Sequence, residues 1–401
     1  MKKLSNGQLE TRYCQCVSWC ASTFFRTVIC AVVLALASPS FGADVAKIDA
    51  LLAEAISRNL IAGAVVLIGS RDSVLFERAY GHVSALAQAR NMSLDTIFDI
   101  ASLTKVIATA PAVLKLAEEG RLSLLDPVVK WFPEFTGRGK DAILVLNLLT
   151  HTSGLDDIPL SSEHAMQSAV QGAADQRLKG EVGSRFRYAD LNFILLAELT
   201  RRATGAGLDL YTLASFYRPL GMADTSFNPH DRRSCSAALC YDRLLTVEVQ
   251  DQLSQQLGGV AGHAGLFSSA EDLAKFCRMM LNGGSLDGHR VLAQRTVDQM
   301  TAPYFSRGGD VVRGLGWDIC SPYSSPRGGG FSEVSFGHTG YSGSSIWIDP
   351  VSDTFVILLT ARLNYSNVHE FGALRGELST LASQLFGVPP ELREMGQYGD
   401  D

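Results

Sequence analysis

FDIASLTKVIATAPAVLKLAEEG (98–120) sets Lys105 one helical turn after Ser102 in a segment that is otherwise apolar. Residues three apart share a helix face, so the hydroxyl and the amine lie side by side. Leu103, Val106, Ile107, Ala110, Val113, Leu114 and Ala117 form an apolar stripe around them. Burial disfavours an ammonium and drives its pKa down. A lysine placed here is either a fault in the core or a base. Pro111 is expected to kink this helix and Gly120 to end it.

Around that helix the chain alternates between strand and helix patterns. AGAVVLIGSRDSVLFERAYG (62–81) reads as two strands about the polar turn Arg71–Ser73. LSLLDPVVKWFPEF (122–135) is a looped stretch broken by Pro127 and Pro133, and VLNLLTHTSGL (145–155) is a helical turn run into a glycine stop. LNFILLAELTRRATG (191–205) has the period of an amphipathic helix closed by Gly205. GHAGLFSSAEDLAKFCRMMLNGG (262–284) is a glycine-rich loop followed by a helix, with Ser268 and Glu271 spaced as a capping box. GSSIWIDPVSDTFVILLTARLN (343–364) reads as a hairpin turning at Asp349–Asp353, and 367–386 as a final helix.

Strands therefore lie at both ends, with helices between. The expected fold is α/β (α+β): one antiparallel sheet built from N- and C-terminal strands and flanked by helices, with a large, mainly helical insertion. The sheet region is expected over 43–108 and 315–401 and the helical region over 109–314, within a single catalytic domain, 43–401. A site between the two regions is the default place for chemistry.

The 401 residues carry a net charge of −6 and are 46% hydrophobic and 19% charged, a globular composition. No basic run or stripe suggests a nucleic-acid surface, so no nucleic-acid partner is expected. Lys2, Lys3, Arg12 and Arg26 precede the apolar run TVICAVVLALA (27–37), and small residues follow, so 1–42 reads as an export signal with cleavage after Gly42. That implies a periplasmic or secreted chain, and the same segment offers a weak membrane anchor. Removing it leaves a net charge near −9 and takes away Cys14, Cys16, Cys20 and Cys30. In an oxidising compartment Cys235 and Cys240 could close a short loop, while Cys277 and Cys320 are equally well read as buried thiols. No CxxC or HxxxH pattern occurs and no metal site is expected.

Two further stretches carry chemistry. FRYADLNF (186–193) puts Tyr188 just before a helix, where a phenol can face a cleft. FGHTGYSGSSIWIDP (336–350) puts His338, Thr339 and Gly340 at the start of a strand rich in small residues, which let a substrate backbone approach. Ser102-x-x-Lys105 alone is a weak signal, because both residues are common.

The order of these elements is more specific. S-x-x-K after the first hairpin, Y-x-D about eighty-five residues on, and H-T-G before the last hairpin resemble the serine β-lactamase-like superfamily: class C β-lactamases, D-Ala-D-Ala carboxypeptidases and family VIII-type esterases. FDIASLTK, LLTHTSGL and GGVAGHAGLFSSAEDLAKF share that style, and the resemblance runs from about Ala43 to the last helix. It implies that Ser102 attacks a carbonyl and is acylated, with Lys105 and Tyr188 as proton-transfer partners and His338 in the third catalytic element. It also implies an oxyanion held by the N–H groups of Ser102 and of Tyr341 on the strand after H-T-G, and no cofactor. Thr339 and Gly340 would line the substrate.

Two departures bear on the substrate, expected to be a small ester, a peptide or a peptidoglycan-type molecule. The family's commoner Y-x-N is here Y-x-Asp190, and a carboxylate cannot donate to a substrate carbonyl. If Asp190 lies near Lys105 it favours the charged amine and pushes the base role toward Tyr188. Asn192 is the candidate replacement amide. The lysine usual in K-T-G is here His338, which argues against an efficient β-lactamase. No Gly-x-Ser-x-Gly occurs, so a nucleophile-elbow hydrolase has no candidate serine. The competing readings are an exported esterase or D-Ala-D-Ala carboxypeptidase-like hydrolase, a β-lactamase, and a non-catalytic penicillin-binding sensor that acylates once and stops.

Overall fold

The computed structural model describes residues 38–137, 139–229, 237–240, 243–245, 248–305 and 311–387, with backbone only for 38–44, 237–240 and 243–245. The signal segment up to residue 37 and the Cys235–Cys240 pairing lie outside the described residues, and the expected cleavage point falls within the helix Ser38–Ser57. Among the described residues no helix is long and apolar enough to cross a membrane. The described residues from Leu51 onward form one compact unit, which holds every site residue.

The main sheet has eight strands: β1 Ile61–Gly69, β2 Val74–Gly81, β3 Tyr304–Phe305, β4 Val312–Arg313, β5 Asp318–Cys320, β6 Phe336–Thr339, β7 Ser345–Asp349 and β8 Thr354–Arg362. Their order is β3-β4-β5-β6-β7-β8-β1-β2, antiparallel throughout. The first strand lies beside the last, with Val66 opposite Leu358. Both are buried at all nine positions, so neither alternates: β1 is apolar throughout and β8 carries the unbroken apolar run Phe355–Leu359. Edge strand β2 is largely exposed, and Glu77 and Arg78 discourage pairing with another chain. The helices Ala270–Leu281 and Val368–Phe386 pack on the central strands. The expected antiparallel, helix-flanked architecture is present.

The structure corrects several local expectations. The sheet begins at Tyr304, ahead of residue 315. The inserted region also carries a short sheet in which Leu266–Ser268 pairs with Phe98–Asp99 and with Ser226–Phe227. Strands of two or three residues have no periodicity to read. The helix after Ser102 is a 3-10 turn (Ala101–Leu103), a π turn (Lys105–Thr109) and then regular α-helix from Ala110 to Glu118. Pro111 has no N–H to give the Ile107 carbonyl, and the Tyr217 hydroxyl donates to it instead, at 3.3 Å. The helix Asp190–Thr204 is buried all round from Leu191 to Thr200, not amphipathic. The cap of the Ala270 helix is Ser269, which accepts from the Asp272 N–H, one residue later than expected. Cys277 is buried, but Cys320 is exposed at the end of β5.

The loop before Leu266 is drawn tightly onto the two site helices. A Cβ at Gly262 would stand 2.0 Å from the Phe193 carbonyl oxygen, which is backbone and cannot step aside. Gly262→Ala is therefore expected to lower stability by about 1–3 kcal/mol or more, read as a lower urea midpoint at unchanged m.

Candidate active site

Asp99 builds the turn that presents the serine. Its carboxylate accepts the N–H of Ala101 (2.8 Å) and of Gln250 (2.7 Å). Ala101 takes φ +47°, a left-handed conformation costly for a residue with a Cβ. The reversal turns Ser102 out at the head of its helix. Burial pushes the Asp99 carboxyl up to about 6 despite those two hydrogen bonds.

Lys105 is fully buried and its ammonium is fully used. Nζ donates to Ser102 Oγ at 3.0 Å and to the His263 carbonyl at 3.0 Å, and lies 2.7 Å from Asp190 Oδ1. Desolvation alone would lower its pKa, but Asp190, then Tyr188, raise it above the ordinary value. The same pairing holds the Asp190 carboxyl below its ordinary value, against the desolvation of its enclosed Oδ1. Both shifts describe one ion pair: the lysine rests as a cation and the aspartate as an anion.

Tyr188 closes the triangle. Its ring borders the Lys105 ammonium, and burial, with the Asp190 charge, keeps its pKa above the usual range although the Lys105 charge opposes this. Asp190 thus lies on Lys105 as anticipated, but the phenol it was expected to favour as base rests neutral. The Lys105 ammonium stands 5.0 Å from the Tyr188 ring centroid, and the His151 ring stacks on Tyr188 at 4.4 Å.

Asn192 is a correction. It is fully buried, accepts from Ser153 Oγ at 2.6 Å and donates to the Ala189 carbonyl at 3.1 Å, so it is not a substrate amide. It sits beside His151 Nδ1 (3.3 Å), which also accepts the Ala189 N–H (3.3 Å). Asn192 and His151 together hold the backbone just after Tyr188.

Strand β6 forms the opposite wall. Its approach to the serine turn needs a glycine: a Cβ at Gly340 would meet the Ile100 carbonyl at 2.5 Å. Thr339 ends the strand opposite Ser345. Tyr341 stands in the following turn, not on the strand as expected, and its side chain is exposed. The hydrogen bonds of that turn come from the N–H groups of Gly340 and Gly343, and Tyr341 between them lines the pocket. Arg362 donates to the Tyr341 carbonyl (2.9 Å), and Arg375 to those of Gly340 (2.7 Å) and Ser344 (2.9 Å). Ser102, Tyr188, Arg313, His338, Tyr341 and Arg362 line one pocket. His338 hydrogen-bonds the Thr339 carbonyl through Nδ1, and its ring centroid lies 6.2 Å from that of Tyr188.

Residues far apart in the chain thus meet as the motifs suggested, around a serine, an amine and a phenol. The sequence reading missed the His263 carbonyl, His151, and the buried pair Arg313–Asp318 at 3.1 Å. The repeated GHAG/HTSG style around the two histidines was the available signal. Asp190, Asp251 and His263 place potential ligand atoms within 4.8 Å of one another, but the Lys105 ammonium already occupies the Asp190 oxygen, a poor neighbour for a metal cation.

Comparison with known proteins agrees with this geometry. Residues 48–377 match the Beta-lactamase family. The chain is 28% identical over 356 residues to an N-acetylmuramyl-L-alanine amidase of Bacillus subtilis (strain 168), covering 78% of this chain and 80% of that one. It is 29% identical over 341 residues to a putative D-alanyl-D-alanine carboxypeptidase of Escherichia coli (strain K12), covering 74% and 77%. Among solved structures it is similar to EstCE1, a hydrolase with promiscuous acyltransferase activity, at TM-score 0.70 and 20% identity over 86% of this chain and all of that one.

His151 and His338 are held neutral first by burial, then by the charges of Arg313 and Lys105. The unfolded chain takes up protons near pH 6.5 that these folded histidines refuse. Their contribution is complete above that pH and is lost as the pH falls, at about 1.4 kcal/mol per pH unit for each histidine. Asp99 acts in the opposite sense, since its raised carboxyl favours the fold as the pH drops from about 6 toward 4. Stability from urea unfolding is expected to fall between pH 7 and 5, and His151→Gln to flatten that slope by about one histidine's share.

Proposed function

The chain belongs to the Beta-lactamase family and is a serine hydrolase of that kind, and on that premise we propose that it is exported and hydrolyses a D-amino-acid peptide of the peptidoglycan type through an acyl-enzyme on Ser102. The observation that carries this reading is the 3.0 Å contact between Lys105 Nζ and Ser102 Oγ, with Tyr188 lining the same pocket as Ser102 and its ring centroid 5.0 Å from that ammonium. The cell-wall names of the amidase and carboxypeptidase relatives support the substrate class. Arg362 and Arg375, without a carboxylate partner among the described residues, give the pocket a positive field suited to an acidic peptide end. The apolar run 27–37 behind a basic lead supports export.

The resting charges set the order of proton transfers. Ser102 Oγ attacks the carbonyl carbon; its proton passes to Lys105 as Lys105 hands one to Asp190. The oxyanion lies against the N–H groups of Ser102 and Tyr341. As the C–N bond breaks, the neutral Tyr188 phenol protonates the departing amine and regains its proton through Lys105 from Asp190. Water then attacks the Ser102 ester by the same route, the C–Oγ bond breaks, and the serine recovers its proton. A phenol kept protonated suits a donor to the leaving group, and a paired ammonium suits a relay. His338, held neutral, offers no fixed charge where lactamases carry a lysine, which supports weak or absent β-lactam turnover.

Intact-mass measurement with a D-Ala-D-Ala peptide, a p-nitrophenyl ester and a penicillin tests the reading. The expected outcome is repeated turnover of the peptide with a transient adduct on Ser102, absent in Ser102→Ala. An adduct that stops at one equivalent indicates a sensor instead. Lys105→Ala and Tyr188→Phe are each expected to slow acylation at least about 10²-fold. Asp190→Asn removes the anion that keeps Lys105 charged, so desolvation then lowers the amine's pKa. The variant is expected to show an acid limb in kcat/KM, rising with pH as Lys105 deprotonates, that the wild type lacks.

A further inference from the structure

Lys105 takes one of its three acceptors from outside its own helix and from outside the Tyr188–Asp190 segment: the main-chain carbonyl of His263. A carbonyl can serve a reacting amine only if its peptide plane is fixed. The loop carrying it is bonded to the Ser102 helix on both sides. Thr109 Oγ1 donates to the Gly262 carbonyl at 2.7 Å, and the Leu266 N–H donates to Thr104 Oγ1 at 3.1 Å. Residue 263 itself is held through its side chain. The imidazole is buried, and Nε2 lies 2.7 Å from Asp251 Oδ1. That oxygen also accepts the Ser254 N–H, at 2.7 Å, capping the short helix Gln252–Gln256. Asp251 follows Gln250, whose N–H is bound by Asp99, the residue that bends the chain at Ala101. The nucleophile turn and the lysine's carbonyl acceptor are thus referenced to one short segment.

We propose that Asp251 and His263 are positioning residues: their hydrogen bond fixes the His263 carbonyl on the Lys105 ammonium and so sets when Lys105 can exchange a proton with Ser102. This rests on the acyl-enzyme reading above. Losing the carbonyl leaves the buried ammonium one acceptor short and less stabilised. The groups that face Lys105 are Asp190 and Tyr188 at the head of their helix, Ser102 on its own, His151 and Asp157 from the neighbouring loop, His338 from β6, and Asp251 itself. Asp251 and His263 also bear electrostatically on Asp190, so a variant that removes the Asp251 charge but keeps the hydrogen bond is needed to separate charge from positioning.

The experiment is stopped-flow acylation by a p-nitrophenyl ester across pH, with rates normalised to the serines titratable by a fluorophosphonate. Asp251→Ala, and His263→Phe, which keeps the ring's bulk without Nε2, are expected to lower the acylation rate at least 10-fold with KM within twofold. Each is also expected to introduce an acid limb. Asp251→Asn retains an oxygen that accepts from Nε2–H and is expected to stay within threefold of wild type with an unchanged pH profile. If Asp251→Ala yields no folded protein, His263→Phe decides. Wild-type rate and pH profile in the Ala or Phe variants overturn the proposal, as does Asp251→Asn behaving like Asp251→Ala. A wild-type chain that takes no label at Ser102 overturns the acyl-enzyme reading and this inference with it. Labelling of wild type with indifferent variants overturns this inference alone.

Discussion

A fully buried ammonium governs this molecule. Lys105 is closed off from bulk solvent, so its charge is balanced by atoms the fold delivers: the Asp190 carboxylate, the Ser102 hydroxyl and the His263 carbonyl. Each comes from a different part of the chain, and each part is shaped to arrive. Breaking a buried pair by removing one member costs about 3–5 kcal/mol, a large share of a domain's net stability of about 5–15 kcal/mol. The geometry that makes the serine reactive is therefore also one on which the packing around it relies.

The helix carrying these groups shows how a constraint in one place is relieved in another. Pro111 has no N–H for the Ile107 carbonyl, the chain runs as a π segment over Lys105–Thr109, and the Tyr217 hydroxyl donates to that carbonyl. Wider turns of this kind are frequent at functional sites. Here the widened turn carries the lysine itself. On the other wall, Gly337 and Gly340 let β6 approach where any side chain would collide with Trp347 or the Ile100 carbonyl.

The sequence makes the architecture legible because its strands are extreme. β1 is apolar at every position, and β8 carries five consecutive apolar residues, Phe355–Leu359, at its centre. Ser102, Lys105, Tyr188 and His338 stood out for a related reason: polar groups in apolar or glycine-rich settings are costly unless used. Asn192 was misread because adjacency in sequence to Asp190 says nothing of direction on a helix; two positions on, the side chain points away and ties down Ser153. The His263 carbonyl could not be read at all, since a backbone acceptor leaves no mark on residue identity. The short strand Leu266–Ser268 and the one-residue shift of the Ser269 cap escaped for want of enough residues to show a period.

The pairing of β1 with β8 has a consequence for how the chain is made. Every residue from 70 to 353 must be synthesised before the partner of β1 exists. At about 5–20 residues per second that interval is about 15–60 s. Throughout it a nine-residue apolar ribbon has only the charged β2 hairpin arm to shield one edge. Until the C-terminal hairpin exists, this ribbon is open to pairing with other exposed strands, so late β1–β8 closure makes the fold one of high contact order.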